Sequence, residues 1–295
     1  MTSTTDRWLN WLQQGRSGGD SRLASFQAAQ LAGVRDRVLR SANISEGETV
    51  LDTGCGDGLI AFGALDLVGA GGRVIFTDIS KAALDHCAEA AEAIGVAGRC
   101  TFMETGAERL AGIDDGSVDA VTVRSVLIYV DDRQAAFSAF HRVLRPGGRL
   151  SLFEPINSFE RSGSKDMLWG IDVAPVAALA DKVRAVYERI QPADSPISNF
   201  DERDLLREAQ AAGFATVSLR LDARIAARLP ERPAALSWEA LVNAAPNPLA
   251  PSLAAAMSEA LTGDERAALE AHMRAQFEAG AVTQRSASAY LQATK

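Results

Sequence analysis

Apolar residues near the start of the chain recur at helical spacing. Over residues 20–41, Leu23, Phe26, Leu31, Val34 and Val38 fall close to one face, and a shorter helix is predicted over 6–14. From Thr49 the texture changes to short β-branched or apolar runs separated by helical stretches: ETVLDTG, GLIAFGALDLV, GRVIFTD, SKAALDHCAEAAEAIG, RCTFMET, SVDAVTV, RQAAFSAFHRVLR and GGRLSLFEP. Strands alternating with helices predict βαβ units, because a parallel sheet covered by helices on both faces is built from near-continuous apolar strands. Gly or Asp-Gly-Ser signals stand closely before four of the five strands and mark their boundaries.

After Pro155 the alternation stops. Residues 158–195 read as a helical insertion running from SFERSGSKDMLWG through VAALADKVRAVYERIQP. FDERDLLREAQAAG, Phe200 to Gly213, predicts an amphipathic helix ended by a glycine, and FATVSLRLDA then alternates as an antiparallel strand does. Residues 228–280 are predicted helical with Pro-rich joints, LPERP and AAPNPLAP. Ser286–Lys295 is a last strand or a last helix, with strand favoured.

Composition narrows the function classes. A chain of 295 residues with 47% hydrophobic content supports one large α/β core with appendages or two modest domains. Thirty Lys and Arg against 38 Asp and Glu give a net charge of −8, which repels nucleic acid and anionic membranes and favours a small-molecule substrate. Cys55, Cys87 and Cys100 are odd in number and lack paired spacing, so they predict reduced thiols rather than a disulfide framework or a thiolate metal site. No His, Cys, Asp or Glu cluster has metal-ligand spacing. No apolar run approaches the roughly 20 residues that span a bilayer, and MTSTTDRWLNWLQQGRSGG is no secretory signal, so a cytoplasmic protein is expected.

The segment VLDTGCGDG carries the clearest chemistry. Glycines 54, 56 and 58 at a strand-to-helix turn let a ligand approach the main chain closely, as in nucleotide sites. A pyrophosphate at such a turn would meet Asp52 and Asp57 and be repelled. Leu59 moreover replaces the last glycine of the dehydrogenase fingerprint. S-adenosylmethionine has no phosphate, and its sulfonium and ammonium are favoured by carboxylates. Asp78 closes the next strand, where an acid accepts hydrogen bonds from ribose hydroxyls; Asp78 or Ser80 can also cap the helix that follows.

Together these residues resemble the class I methyltransferases, in the small-molecule branch that includes ubiquinone-biosynthesis and arsenite methyltransferases. VLDTGCGDG, Asp78-Ile79-Ser80, DDGSVDAVTVRSVLIYVDD and HRVLRPGGRLSLFEP carry the resemblance over about residues 45–157, and LLREAQAAGFATV extends it weakly. It implies a Rossmann-like, seven-stranded, mostly parallel sheet ordered 3-2-1-4-5-7-6, with strand 7 antiparallel. The expected organisation is a helical N-terminal segment or lid over 1–44, a cofactor-binding core over 45–157, a helical substrate insertion over 158–199, the core continued over 200–227, and a helical region over 228–295. By position, the resemblance implies that Asp52, Gly54 and Gly56 line the methionyl end of the cofactor, Asp78 holds the ribose and Ile79 packs on the adenine. The loop at Gly106 lacks the aspartate of many relatives, which leaves the Ala107 amide to reach the ring, and Arg124 faces the methionyl group.

Methyl transfer is an in-line displacement in which the cofactor brings the reactive carbon and its leaving group, so the protein mainly aligns the acceptor. If a base exists it belongs at the carboxyl ends of strands 4 and 5, where Tyr129 and Glu154 fall with Ser125 and Asn157 as polar neighbours. His86, His141 and His272 lie on predicted helices and read as solvated or core-edge residues, and Cys55 as a small apolar filler. Trp8 and Trp11 are either part of a lid or anchors for the first helix. The insertions are expected to shape the acceptor site, with a partly apolar acceptor. The expected activity is methyl transfer from S-adenosylmethionine, yielding S-adenosylhomocysteine, to an O, N or C atom of a small organic molecule in secondary metabolism. The alternative is an inactive cofactor-binding regulator with the same fold.

Overall fold

The apolar runs of the sequence become five parallel strands: β1 (Thr49–Thr53), β2 (Arg73–Asp78), β3 (Cys100–Glu104), β4 (Val118–Arg124) and β5 (Leu144–Pro155). The structure is a computed structural model and describes residues 6–226 and 236–295. Two further strands, β8 (Thr216–Ala226) and β9 (Gln284–Thr294), complete a sheet ordered β3-β2-β1-β4-β5-β9-β8, with β9 antiparallel to β5. Numbered within this sheet alone, the order is the expected 3-2-1-4-5-7-6.

The chain divides into two units. One comprises Gln30–Ile156, Phe200–Asp222 and Ser288–Lys295 and holds most of the sheet. Here β1, β2 and β3 are laid down in one direction and β4, β5 in the other, so right-handed crossovers place α3 (Leu59–Val68) and α4 (Lys81–Ala93) on the face opposite α5 (Arg133–Val143). Val38 and Leu39 of α2 (Ser21–Ala42), Ile60 and Leu65 of α3, and Val50 and Phe76 of the strands form one buried cluster. On α5, Phe137 and Phe140 are fully buried, and α8 (Glu202–Ala211) packs beside it behind a capping box of Asp201 and Asp204. The strand order reverses between β1 and β4. In open α/β sheets ligands bind in the crevice outside the carboxyl ends of the strands at this switch point.

The other unit comprises Met1–Ala29, Asn157–Asn199 and Ala223–Ala287. Its core gathers Val183 of α7 (Ala177–Ile190), Trp238 of α9 (Trp238–Asn243), Leu253 of α10 (Leu253–Ala260), and Met273 and Phe277 of α11 (Gly263–Glu278). The insertion after Pro155 is not wholly helical, which corrects the sequence reading. Between α6 (Asn157–Arg161) and α7 it forms a hairpin of β6 (Met167–Leu168) and β7 (Ile171–Asp172), because Trp169 and Gly170 both take positive φ, 53° and 77°. Strands of two residues carry no readable period. Trp11 of α1 (Arg7–Gln13) is an anchor within this unit, its indole N–H donating to the Ala245 carbonyl at 2.9 Å. The LPERP joint expected before α9 lies outside the described residues. Among the described residues, no helix is long and apolar enough to cross a membrane.

Candidate functional site

Val50 and Leu51 are buried, and the chain leaves β1 through Asp52 and Thr53 into the turn Gly54–Gly58 that opens α3. Gly54, Gly56 and Gly58 take φ of 64°, 55° and 83°, a region where a Cβ clashes with the backbone. At Gly54 a Cβ would also stand 2.3 Å from Cγ2 of Val126, so the bare backbone of the turn packs against the Val126 side chain of the loop after β4. The turn is tied to the tip of β2: the Gly56 N–H donates to Asp78 Oδ2 and the Cys55 N–H to the Thr77 carbonyl, each at 2.9 Å. The other Asp78 oxygen accepts from the Ser80 N–H at 2.9 Å. Ser80, not Asp78, caps α4, its hydroxyl accepting from the Ala83 N–H at 3.0 Å. Asp78 therefore holds the glycine turn.

Asp52 lies beneath that turn rather than in an open mouth, only 2% exposed. Its Oδ1 accepts from the Thr122 hydroxyl at 2.7 Å. Its Oδ2, together with Thr53 Oγ1 and Asp57 Oδ1, is buried without a hydrogen-bond partner. Buried polar groups are nearly always satisfied, so three such atoms around one turn mark it as a candidate ligand site. Burial pushes the Asp52 pKa up to about 7, opposed by the Thr122 hydroxyl and Arg124. Cys87 lies against the same turn, its thiol 3.4 Å from the Gly56 carbonyl; the contact with Cys87 and burial hold the Cys55 thiol well above its ordinary pKa, so Cys55 is a neutral filler.

The loop after β3 is fastened to the same strand tip, the Thr105 N–H donating to the Asp78 carbonyl at 3.0 Å. Ala107 is buried, and a Cβ at Gly106 would meet Glu108 Oε2 at 2.9 Å. Ile79 is 56% exposed between the buried Asp78 and Ser80, an apolar surface at the edge of the site.

On the far side of the switch point, β4 ends at Arg124 and Ser125 takes a left-handed φ of 55°. A short 3-10 turn, Leu127–Tyr129, follows. Its free amides are covered by Glu154 from the end of β5: Oε1 accepts from the N–H of Val126 at 2.8 Å and of Leu127 at 2.9 Å, and Oε2 from that of Ile128 at 3.4 Å. Glu154 is fully buried, and burial raises its pKa to about 7 against the pull of those amides and Arg124. With both oxygens turned to the main chain, Glu154 is placed as a support for the β4 loop. Burial and the neighbouring Glu154 push the Tyr129 phenol up, so it keeps its proton at neutral pH. The Asn157 side chain is committed to the Ile197 carbonyl at 2.9 Å.

The structure thus brings Asp52, Gly54, Gly56, Asp78, Ile79, Gly106, Ala107, Arg124, Tyr129 and Glu154 to the carboxyl ends of the parallel strands of one unit. His86, His141 and His272 are elsewhere, on α4, α5 and α11; the His141 ring stands edge-on to Phe214, centroids 5.2 Å apart. Among the described residues, no three His, Cys, Asp or Glu side chains converge as a metal-ligand group. Sequence reasoning missed Thr122 and Val126. The pairing of Asp52 with Thr122 across β1 and β4 is the signal that finds the first; only the fold finds the second.

Comparison with known proteins agrees with this arrangement. Residues 51–152 match the family model of a methyltransferase domain. The ubiquinone/menaquinone biosynthesis C-methyltransferase UbiE of Escherichia coli O1:K1 is 31% identical over 183 residues, which are 60% of this chain and 70% of that protein. A geranyl diphosphate methyltransferase solved with S-adenosylmethionine has a TM-score of 0.54 at 18% identity, covering 96% of this chain and 93% of its own. The [4+2]-cyclase SpnF has a TM-score of 0.52, also at 18% identity, over 90% of this chain and 81% of its own; both likenesses are of fold. A glycine turn braced by acids at the switch point of a 3-2-1-4-5-7-6 sheet, in a chain this close to UbiE, is decisive: the chain belongs to the class I S-adenosylmethionine-dependent methyltransferases.

Proposed function

We propose that the chain moves the methyl group of S-adenosylmethionine to an O, N or C atom of a small organic acceptor, in secondary metabolism. The observation that carries this reading is the set of unpartnered buried oxygens on Asp52, Thr53 and Asp57 around a turn held open by glycines. Carboxylates so placed favour a cation and disfavour a pyrophosphate. When bound, the cofactor supplies an electrophilic methyl carbon and a neutral leaving group. In this reading Asp52, Gly54 and Gly56 receive the methionyl end, and Arg124 flanks it. Asp78 faces the ribose, and the exposed face of Ile79 and the backbone of Gly106 and Ala107 receive the adenine.

The protein's part is alignment and exclusion of water rather than proton removal. Tyr129 keeps its proton and Glu154 is occupied by main-chain amides. Such a site suits an acceptor that is nucleophilic without a dedicated base. The UbiE relatives carry C-methyltransferase in their names, so electron-rich ring compounds methylated at carbon are the first acceptors to screen.

The test is a calorimetric titration of ligand-stripped protein with S-adenosylmethionine, S-adenosylhomocysteine and NAD in parallel, followed by an acceptor screen with methyl-labelled donor. Binding of the first two, and label on an acceptor, is the expected result. Binding of NAD alone refutes the charge argument. Because SpnF shares this fold as a cyclase, binding without label on any acceptor favours the reading of a cofactor-binding protein that does not transfer methyl groups.

A further inference from the structure

Away from the glycine turn, three elements of the sheet unit bring basic side chains together. Arg37, Arg40 and Ser41 stand at i, i+3 and i+4 on α2 and so share one helix face. Ser218 and Arg220 are two apart on β8, and Tyr290 and Gln292 two apart on β9, so each pair projects from one face of its strand. These seven residues line one groove of about 520 Å³. Arg37 is fixed within it: its guanidinium lies 3.4 Å from the centroid of the Tyr290 ring and pairs with Asp222. Arg40 and Arg220 are exposed, and among the described residues no hydrogen bond or ion pair involves either side chain.

Among the described residues, one acid against three guanidiniums leaves the groove with two uncompensated positive charges in a chain whose net charge is −8. Uncompensated like charges held at one place repel each other and persist where an anion joins them. The hydroxyls of Ser41, Ser218 and Tyr290 and the Gln292 amide add neutral donors between the charges. Guanidinium groups with interleaved hydroxyls match the oxygens of a phosphate, which arginine recognises in bidentate fashion. The volume suits a compact ligand, and the acidic balance of the whole chain works against a long polyanion.

We infer that the groove formed by Arg37, Arg40 and Arg220 with Ser41, Ser218, Tyr290 and Gln292 is a binding site for the phosphate or diphosphate group of a small molecule. It is separate from the cofactor turn: β9 stands three strand steps from β1, roughly 14 Å at about 4.8 Å per step. Its Tyr290 end is level with the carboxyl ends, since Tyr290 pairs with Phe153, which pairs with Arg124, while Gln292 pairs with Ser151 and lies two residues further down the sheet. The site therefore takes its anion independently of S-adenosylmethionine.

The experiment is calorimetric titration of the full chain with inorganic phosphate, with pyrophosphate and with a single-stranded RNA oligonucleotide at low salt. Three proteins are compared: wild type, the double variant Arg40→Glu/Arg220→Glu, and a charge-matched control, Arg203→Glu/Arg207→Glu, on the exposed face of α8. S-adenosylmethionine affinity and thermal melting of each confirm an intact fold. Expected are pyrophosphate binding tighter than phosphate, a loss of at least about tenfold in the groove variant, less than about twofold in the control, and unchanged cofactor affinity in both. No pyrophosphate binding to wild type, or equal losses in groove variant and control, overturns the inference. RNA binding tighter than pyrophosphate and lost in the groove variant overturns it in favour of nucleic acid. Because the cofactor is titrated separately, failure here is distinct from failure of the methyltransferase reading.

Discussion

Replacing Glu154 separates a supporting carboxylate from a catalytic one. Its two oxygens receive the amides of Val126, Leu127 and Ile128, and the side chain has no exposure to solvent. Glu154→Ala orphans these buried N–H groups at about 1–3 kcal/mol each. Since the Ile128 contact is long, a total loss of about 2–5 kcal/mol is expected. Glu154→Gln keeps one carbonyl oxygen for Val126 and Leu127 and removes the charge. Burial lifts the Glu154 pKa from 4.5 to about 7, which corresponds to about 3 kcal/mol. An acid whose pKa is higher in the folded state binds its proton more tightly there. Its contribution is thus fully present below about 4.5 and is lost as pH rises through about 7. The stability of wild type minus that of Glu154→Gln should therefore fall by up to about 3 kcal/mol between pH 4.5 and 8. Asp52 titrates in the same range in both proteins and cancels in the difference. Urea unfolding at pH 5, 6, 7 and 8, with hydrogen exchange of residues 118–130 as the local readout, measures it. A difference that is flat or rises with pH would mean that the amides outweigh burial and the carboxylate is charged throughout, which refutes the reasoning.

Gly54→Ala should abolish measurable cofactor binding, because its Cβ would stand 2.3 Å from the Val126 side chain at a φ of 64°; adding Val126→Ala should recover part of it, and full binding by the single variant in calorimetry contradicts the contact. If the ionised form of Asp52, whose pKa is about 7, is the one that receives the cation, cofactor affinity should rise up to about tenfold from pH 6 to 8 in wild type relative to Asp52→Asn. Parallel pH profiles of the two proteins would remove Asp52 from the site. Asp78→Ala should weaken S-adenosylmethionine at least about tenfold and also lower the melting temperature, since the Gly56 and Ser80 amides lose their acceptor; unchanged affinity in calorimetry would sink the ribose assignment.

The central parallel strands were legible because they are buried on both faces and so write mostly apolar runs, as in VLD, VIF and VTV, whereas β3 at the sheet edge is only half-buried and was legible by its place in the alternation. The glycine turn was legible because positive φ admits few other residues. The hairpin at Met167–Asp172 was not, since two-residue strands leave no period and its turn begins with a tryptophan in a conformation that side chains seldom adopt. At the site, sequence placed acids at strand tips without saying what they hold. Asp78 binds an amide 22 positions earlier and Glu154 amides 26 to 28 positions earlier, partners that exist only once the sheet has formed. Thr122 reads as one more strand residue until register sets it beside Asp52.

The sheet order has a consequence for how the molecule is made. β8 joins the sheet only through β9, which leaves the ribosome about 60 residues later. At roughly 5–20 residues per second, the β1–β5 half has seconds in which to assemble while β8 waits without its neighbour and the outer edge of β5 stays bare. In that interval both edges are open to wrong pairing. A nascent chain arrested before Gln284 would therefore display a nearly finished nucleotide fold with a sticky flank, the form that chaperones and proteases would meet first.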